Sequence, residues 1–184
     1  RSLNFFEDVP FDCLNEIVNN INIHQFTNNE IIARHGRYNE WFYIVLSGKV
    51  SIFMITPDYT KSELYSIEPD NFFGEDIVIS NEPRESTAIA CGESILLAVD
   101  AQSIKKIIAS STRTNELLNN AFLQRKMRNN LRSIPIFTRL NEEIFNEIVD
   151  VVNVVQTKKG DVVFKRGDTG DALFMIRKGD VSVY

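Results

Sequence analysis

The first and last parts of this 184-residue chain carry the same residue pattern, displaced by 131 positions. The run Asn-Glu-Ile-Val at 15–18 returns at 146–149, and Gly36 returns as Gly167. An internal repeat of this kind indicates that one structural unit is used more than once. We therefore predict a tandem of two similar domains, in which the second is cut off at Tyr184 and keeps only its early strands.

Each copy begins with helical spacing of apolar residues, at Phe11, Leu14, Ile17, Val18 and Ile21 in the first. The second helix has a plausible N-cap in Asn141. Strand-like runs follow at 31–33, 42–46, 50–56, 63–67, 87–90 and 95–99, with turns such as Ser47-Gly48 and Pro57-Asp58. Residues 101–110 and 114–132 are predicted helices. The pattern favours a mainly β fold with flanking helices, an antiparallel β-roll of the jelly-roll type.

The composition excludes several classes of function. With 20 Lys and Arg against 25 Asp and Glu, the formal net charge is −5, so a nucleic-acid partner is not expected. No apolar run approaches the ~18 residues of a membrane helix. Cys13 and Cys91 are too few for a disulfide framework, which favours a cytoplasmic location. Because His24 and His35 stand apart, we expect no metal, no cofactor and no enzymatic activity.

One segment, residues 72–88, carries the groups that could bind a small molecule. Gly74 permits close approach of the backbone to a ligand. Residues 75–79 could form one helical turn, whose free N–H groups favour an anion. Arg84 can donate two parallel hydrogen bonds to a phosphate, and an ionised Glu75 can accept from a sugar hydroxyl. The segment therefore predicts a ligand with one negative phosphate and a free ribose hydroxyl.

This segment resembles the phosphate-binding cassette of the cyclic nucleotide-binding domain family, which includes protein kinase A regulatory subunits, catabolite activator protein and nucleotide-gated channels. The cassette reads Phe-Gly-Glu, eight further residues and an Arg that commonly follows Pro. Phe73-Gly74-Glu75 and Pro83-Arg84 match that spacing. A second family feature is a pair of glycines twelve residues apart with an aromatic between them, present here as Gly36, Tyr43 and Gly48 and again as Gly167, Phe174 and Gly179.

The resemblance implies a regulatory sensor module that binds a cyclic nucleotide, with cAMP ahead of cGMP. Residues 1–121 would be the cyclic nucleotide-binding domain, and 122–184 a connecting helix and a truncated second domain. Glu75 would hold the ribose 2′-hydroxyl, and Arg84 would pair with the cyclic phosphate, assisted by backbone N–H groups near Ile77, Val78 and Glu85. Binding would be passed through 101–132 to an effector domain or protein outside this sequence. The implied site residues are Phe73, Gly74, Glu75, Ile77, Val78, Pro83, Arg84, Glu85, Ser86 and Thr87.

Glu85 departs from the family, because a small residue usually follows the cassette Arg. Two unit charges ~6 Å apart at an effective dielectric of ~20 repel by about 3 kcal/mol, so we expect Glu85 to face solvent or the base edge. At the base edge, its carboxylate could accept from guanine and favour cGMP. The alternative interpretation is a degenerate fold that serves in assembly without binding nucleotide. A DNA-binding regulator is disfavoured, since a second roll rather than a helix-turn-helix follows the first.

Two groups of residues in the helix predicted at 114–132 are given structural roles. Leu118 and Phe122 are interpreted as packing residues rather than as a cap over the nucleotide base. The basic residues of the same helix are interpreted as a solvated face: Arg125, Lys126, Arg128 and Arg132.

Overall fold

The structure is a computed structural model that describes residues 4–38, 41–56, 59–80, 82–153, 155–176 and 179–184. Among these residues, eight strands form two four-stranded antiparallel sheets, both in the first of two units. The two units are Arg1–Asp150 and Val151–Tyr184. The predicted turn at Pro57-Asp58 lies outside the described residues. The strands are β1 (Ile21–Phe26), β2 (Ile31–Ala33), β3 (Trp41–Ser47), β4 (Val50–Ile55), β5 (Lys61–Ile67), β6 (Phe72–Phe73), β7 (Thr87–Ala90) and β8 (Ser94–Asp100).

The strands are ordered β1-β8-β3-β6 in one sheet and β2-β7-β4-β5 in the other. The described part of the chain also contains five α-helices, namely α1 (Phe11–Ile17), α2 (Asp76–Ile79), α3 (Ala101–Ser110), α4 (Thr112–Arg132) and α5 (Glu142–Val151). The predicted mainly β fold, an antiparallel β-roll with flanking helices, is confirmed. Among the described residues, no helix has both the length and the apolar character needed to cross a bilayer.

β3 is buried on both faces, which explains why its sequence is apolar without alternation. Tyr43 and Val45 belong to the core between the two sheets. Phe42 and Ile44 point the other way, into a second core that includes α3 and α4 residues such as Ile104. Alternate side chains of a strand point to opposite faces, so β3 packs against the other sheet on one face and against the helices on the other.

The predicted strands agree with the structure to within two residues at each end, and helix 101–110 agrees at both ends. β1 and the two-residue β6 were not predicted. Helical spacing in the first copy was extended too far, since the α-helix ends at Ile17 and Ile21 begins β1. Phe11, assigned to the apolar face of that helix, is 74% exposed. Asn141 does cap α5, where its Oδ1 accepts from the backbone N–H of Ile144 at 2.9 Å.

The interpretation of the basic residues of α4 as a solvated face is wrong. Arg132 is 1% exposed, and its guanidinium lies 3.8 Å from the centre of the Phe145 ring. Arg128 donates to the Leu64 carbonyl oxygen of β5 at 2.6 Å and to Glu142 at 2.8 Å. α4 is covered by the roll along one side and by the segment leading into α5 along another. Its basic side chains therefore end on carbonyls and carboxylates of the protein.

The second unit shares local turns with the first but not its strands. The Glu30 N–H donates to the Thr27 carbonyl at 3.1 Å, and at the corresponding positions the Asp161 N–H donates to the Lys158 carbonyl at 3.0 Å. Within the described part of residues 151–184 there is no strand, contrary to the prediction of early strands there. β2, β3 and β4 pair with strands between residues 61 and 100, whose counterparts 131 positions later would fall after residue 184.

The boundary predicted between residues 121 and 122 falls inside α4, which is one continuous helix. The predicted division into residues 1–121 and 122–184 follows the sequence repeat, whereas the two units of the structure follow contacts between residues. The predicted division therefore stays a prediction.

Candidate functional site

Gly74 fixes the start of the cassette against β3. The chain leaves β6 at Phe73, which pairs with Tyr43. Gly74 then adopts a φ of +96°, and a Cβ there would lie 2.8 Å from Arg84 Nη2 and 3.0 Å from the Trp41 carbonyl oxygen. Any other residue would be strained by that φ and would collide with the Arg84 side chain. The close backbone approach expected at Gly74 is therefore made to a cassette side chain within the protein.

The helical turn predicted after Gly74 is α2, with Glu75 as its N-cap residue. The Ile77 N–H donates to the Gly74 carbonyl at 3.3 Å and to Asp76 Oδ1 at 3.1 Å. The Val78 N–H donates to the Glu75 carbonyl at 3.2 Å. The N–H groups of Ile77 and Val78, near which the resemblance places two of its three backbone contacts to the ligand, are thus used within α2 in this structure. The side chains of Ile77 and Val78 pack against the second core, which lies between β3 and the helices.

Arg84 is 7% exposed and is held by both its backbone and its side chain. Its backbone N–H donates to the Arg37 carbonyl at 3.0 Å, and its carbonyl accepts from the Gly36 N–H at 2.8 Å. Nη2 donates to the Trp41 carbonyl at 3.1 Å, and Nη1 lies 3.4 Å from Asp76 Oδ1. Nε is buried with no hydrogen-bond partner among the described residues. A buried guanidinium N–H without an acceptor marks a place where an acceptor would be favourable.

Glu75 is 5% exposed and pairs with Arg125 of α4. Glu75 Oε2 accepts from Arg125 Nη1 at 2.7 Å, while Arg125 Nη2 donates to the Phe72 carbonyl at 2.8 Å. Burial lowers the pKa of Arg125, but the charge and hydrogen bond of Glu75, together with Tyr65 and Asp76, raise it, and the net pKa lies above the ordinary value. A charge-assisted bond between two buried groups fastens α4 to the cassette.

Glu85 contacts α4 while its side chain stays partly exposed. Its Oε1 lies 2.6 Å from Lys126 Nζ, and its Oε2 accepts from Asn129 Nδ2 at 3.4 Å. Lys126 also pairs with Glu82 at 2.7 Å. The side chain of Glu85 is 42% exposed. Lys126 therefore balances the charge that the sequence placed next to the expected phosphate, a solution that the prediction for Glu85 did not include.

Asp76 lies beside Arg84, with its side chain 26% exposed. Burial raises the pKa of the Asp76 carboxyl, Arg84 opposes that rise, and the neighbouring Glu75 adds to it. The net pKa is raised above that of an ordinary Asp. This carboxyl group is consequently easier to protonate than an exposed one.

These groups surround one pocket between the roll and α4, with a volume of about 50 Å³. Pockets that hold drug-sized ligands have volumes of ~300–1,000 Å³, so a nucleotide would have to push the α4 side chains aside. Seven of the ten predicted site residues line the pocket, namely Phe73, Gly74, Glu75, Pro83, Arg84, Glu85 and Ser86. Ile77, Val78 and Thr87 do not line it. Thr87 Oγ1 instead accepts from the His35 N–H at 3.1 Å.

Sequence reasoning assigned no site role to several lining residues, namely Tyr65, Asp76, Arg125, Lys126 and Asn129. On α4, Phe122 lines the pocket with the last three, while Leu118 is buried in the helical core as predicted. Positions 122, 125, 126 and 129 share one helix face by their i, i+3 and i+4 spacing. That spacing could have shown that the four residues share a face of the helix. It carries no information on which part of the protein that face contacts.

No group of three or more His, Cys, Asp and Glu side chains suited to a metal ion occurs in the described part of the chain.

Comparison with known proteins identifies this arrangement. Residues 23–111 match the family model described as the cyclic nucleotide-binding domain. Over 178 residues the chain is 26% identical to a cAMP-dependent protein kinase regulatory subunit of Blastocladiella emersonii. The aligned region covers 97% of this chain and 42% of that relative. The chain thus spans less than half the length of this curated relative.

Two solved structures share the fold. The regulatory domain of Toxoplasma gondii protein kinase A, crystallised with cAMP, has a TM-score of 0.59 at 22% identity, over 66% of this chain and 46% of that chain. The regulatory subunit of a cAMP-independent protein kinase A from Trypanosoma cruzi, bound to guanosine, has a TM-score of 0.58 at 14% identity, over 80% of this chain and 47% of that chain. The match to the family model over residues 23–111, together with the strands and the cassette that lie in that range, identifies this part of the chain as a cyclic nucleotide-binding domain.

Proposed function

We propose that this chain is a ligand-sensing regulatory module that binds a cyclic nucleotide in the pocket under α4, with cAMP preferred to cGMP. Arg84 would pair with the cyclic phosphate and Glu75 would accept from the ribose 2′-hydroxyl. Ile77, Val78 and Thr87 would contribute backbone or rim contacts once α4 moves. The nucleotide is a ligand, and the proposal includes no cofactor and no catalytic step.

The observation that carries this proposal is the burial of a carboxylate and a guanidinium in one pocket. Glu75 and Arg84 are 5% and 7% exposed. Charged side chains are rarely buried unless a partner in the protein or a ligand offsets their loss of hydration. The Arg84 Nε, buried and without an acceptor among the described residues, supports an anionic or strongly accepting ligand there.

The names of the relatives support cAMP as the ligand and a kinase catalytic subunit as the partner. The Blastocladiella emersonii relative is named as a cAMP-dependent regulatory subunit. A regulatory rather than catalytic role for this chain agrees with that name. We extend both the ligand and the partner to this chain as a proposal and place the module in the cytoplasm, with neither nucleic acid nor membrane as a partner.

α4 is the element proposed to transmit binding to the effector. It contacts the pocket through Arg125 and Lys126, β5 through Arg128, and the segment before α5 through Arg132. A ligand hydroxyl on Glu75 competes with Arg125, so nucleotide and Arg125 favour different positions of α4. Differential affinity for two arrangements is what couples a ligand to a distant partner.

The tandem organisation is part of the proposal. The turns at Thr27–Glu30 and Lys158–Asp161 have the same hydrogen bonds, which supports common descent of the two copies. Since the cassette of the first copy has no counterpart within residues 151–184, we expect at most one nucleotide per chain.

A degenerate module that binds no nucleotide is the second candidate. It is favoured by the fact that both key side chains already have partners, with Arg84 beside Asp76 and Glu75 beside Arg125. Such a module would keep α4 closed permanently and serve in assembly.

Displacement of a fluorescent cAMP analogue separates the two candidates. We expect the analogue to bind the chain, and we expect cAMP to displace it at lower concentration than cGMP, with 5′-AMP weaker than both. A chain that binds neither the analogue nor unlabelled cAMP in a parallel calorimetric titration would be the degenerate module.

A further inference from the structure

Every cation that lines the pocket already has an acidic partner. Arg84 lies beside Asp76, Arg125 beside Glu75, and Lys126 beside both Glu82 and Glu85. The lining therefore holds four carboxylates against three cations, before any ligand phosphate is added. A phosphate site in a protein usually presents an excess of positive charge or N–H donors, so this balance needs an explanation.

Asp76 is the carboxylate that meets the proposed phosphate position. Its Oδ1 is 3.4 Å from Arg84 Nη1, on the group expected to donate to the phosphate. Trp41 occupies Nη2 through its carbonyl oxygen. A phosphate that takes its forked pair from Nη1 and Nη2 must displace Asp76, and one that takes it from Nη2 and the unpartnered Nε shares the charge of the same guanidinium with Asp76. Either arrangement brings a second anion close to Asp76 or deprives it of its cation.

The groups that face Asp76 come from several elements. Glu75 precedes it and Arg84 lies across the cassette, and both act on its charge. Tyr65 of β5 and Arg125 of α4 are also within electrostatic reach. The charged residues of α3, which also packs against α2, are Lys105 and Lys106, and both are exposed. Lys106 is engaged by Glu16. Arg84 is accordingly the cation in direct contact with Asp76.

We propose that Asp76 is a specificity-determining residue, which competes with the ligand phosphate for Arg84 and takes up a proton when a cyclic nucleotide binds. An uncharged nucleoside in the same pocket leaves the Asp76–Arg84 pair intact and takes up no proton. The inference rests on the proposed function, since it concerns the same pocket. Its consequence is that the site discriminates between a cyclic nucleotide and a nucleoside less than a site without this carboxylate would.

The direction of the pH effect follows from linkage. The pKa of Asp76 is already raised by burial, and Arg84 is the main group that opposes the rise. A phosphate on Arg84 removes that opposition and adds a like charge, so the pKa of Asp76 rises further in the complex. A group with a higher pKa in the bound state binds a proton on association, and affinity then falls as pH rises. The fall is at most about tenfold per pH unit for one proton.

The test is calorimetric titration of cAMP and of adenosine into the whole chain, from mildly acidic to mildly alkaline pH. Buffers of different ionisation enthalpy count the protons taken up. The variants are Asp76→Asn, which removes the charge with little change of shape, and Asp76→Ser in case the first folds poorly. Glu68→Gln is the matched control, because it removes an exposed carboxylate that pairs with Lys49 away from the pocket.

For the unsubstituted chain we expect proton uptake with cAMP but not with adenosine. Asp76→Asn should bind cAMP at least about tenfold more tightly near neutral pH, a gain of ~1.4 kcal/mol, and should lose the proton uptake. Its affinity for adenosine and both affinities of Glu68→Gln should not change.

Two results would overturn the inference while leaving the proposed function intact. The first is cAMP binding by the unsubstituted chain with no proton uptake. The second is an Asp76→Asn affinity for cAMP equal to that of the unsubstituted chain. If neither ligand binds the unsubstituted chain or either Asp76 variant, the proposed function itself is rejected, and the inference with it.

Discussion

The Arg125 guanidinium of α4 lies 2.7 Å from the Glu75 carboxylate of the cassette, and the two form a largely buried ion pair in the pocket. Glu75 is the residue proposed to hold the ribose, so the helix and the ligand use the same carboxylate. The pair makes α4 sensitive to the contents of the pocket. It also closes the pocket to about 50 Å³ in this structure.

Loss of Arg125 should destabilise the fold. In Arg125→Ala the buried Glu75 carboxylate loses its partner, and broken buried pairs cost ~3–5 kcal/mol. We expect roughly 2–4 kcal/mol of the free energy of unfolding, because Arg125 itself keeps some exposure. Urea unfolding measures the loss. The control is Arg113→Ala, which removes an exposed ion pair with Glu7 and should cost far less stability. Equal losses for the two variants would mean that the inner pair does not hold α4.

Glu75 should read the ribose. In Glu75→Ala the hydrogen bond from the 2′-hydroxyl is lost, and a bond to a charged group is worth ~1.5–3 kcal/mol. Binding of cAMP should weaken by that amount, whereas binding of 2′-deoxy-cAMP should change little. Because both ligands meet the same substituted protein, effects of the lost Arg125 contact cancel in the comparison. A similar loss for both ligands would place the hydroxyl elsewhere.

Glu85 should matter less than the sequence alone suggests. Lys126 lies 2.6 Å from its carboxylate, and the side chain is 42% exposed. Such a pair shields the phosphate position from the Glu85 charge, so Glu85→Ala should shift cAMP affinity by less than about 1 kcal/mol. Lys126→Met should weaken cAMP binding by more, since it leaves Glu85 unbalanced. Selective weakening of cGMP in Glu85→Ala would instead show that this carboxylate contacts guanine.

Gly74 offers a test of the cassette backbone. Gly74→Ala introduces a Cβ 2.8 Å from Arg84 Nη2 at a φ of +96°. Gly92→Ala is the matched control, because Gly92 has a φ of +87° and no atom within 4 Å of the added Cβ. Both variants should lose ~1–2 kcal/mol of stability to the left-handed backbone, as seen in thermal unfolding. Only Gly74→Ala should also lose cAMP affinity, since it alone displaces Arg84. Equal affinities would show that the Arg84 side chain can move aside freely.

Much of the roll could be predicted because its strands obey local rules. Thr87–Ala90 and Ile31–Ala33 were predicted with the observed bounds, since turn residues and β-branched residues delimit them. β1 was missed because Ile17, Val18 and Ile21 continue a helical spacing into a strand. The exposure of Phe11 likewise depends on packing, about which periodicity says nothing.

The cassette was predictable because its residues lie within a single short segment. Phe73, Gly74, Glu75, Pro83 and Arg84 all line the pocket found in the structure. The partners of those residues were not predictable in the same way. Glu75 and Arg125 are fifty positions apart, and no local pattern specifies which carboxylate a helical Arg will reach.

The measurement that tests the account most directly is calorimetric titration of cAMP into the unsubstituted chain and into Arg84→Ala. Arg113→Ala serves as the control, because it removes an Arg with exposed partners. The account predicts one cAMP per chain and the same affinity for the control. It also predicts a loss of ~2–5 kcal/mol of binding in Arg84→Ala, which leaves the ligand phosphate buried without a cation. Arg84→Ala binding cAMP as tightly as the unsubstituted chain would contradict the assignment of this pocket.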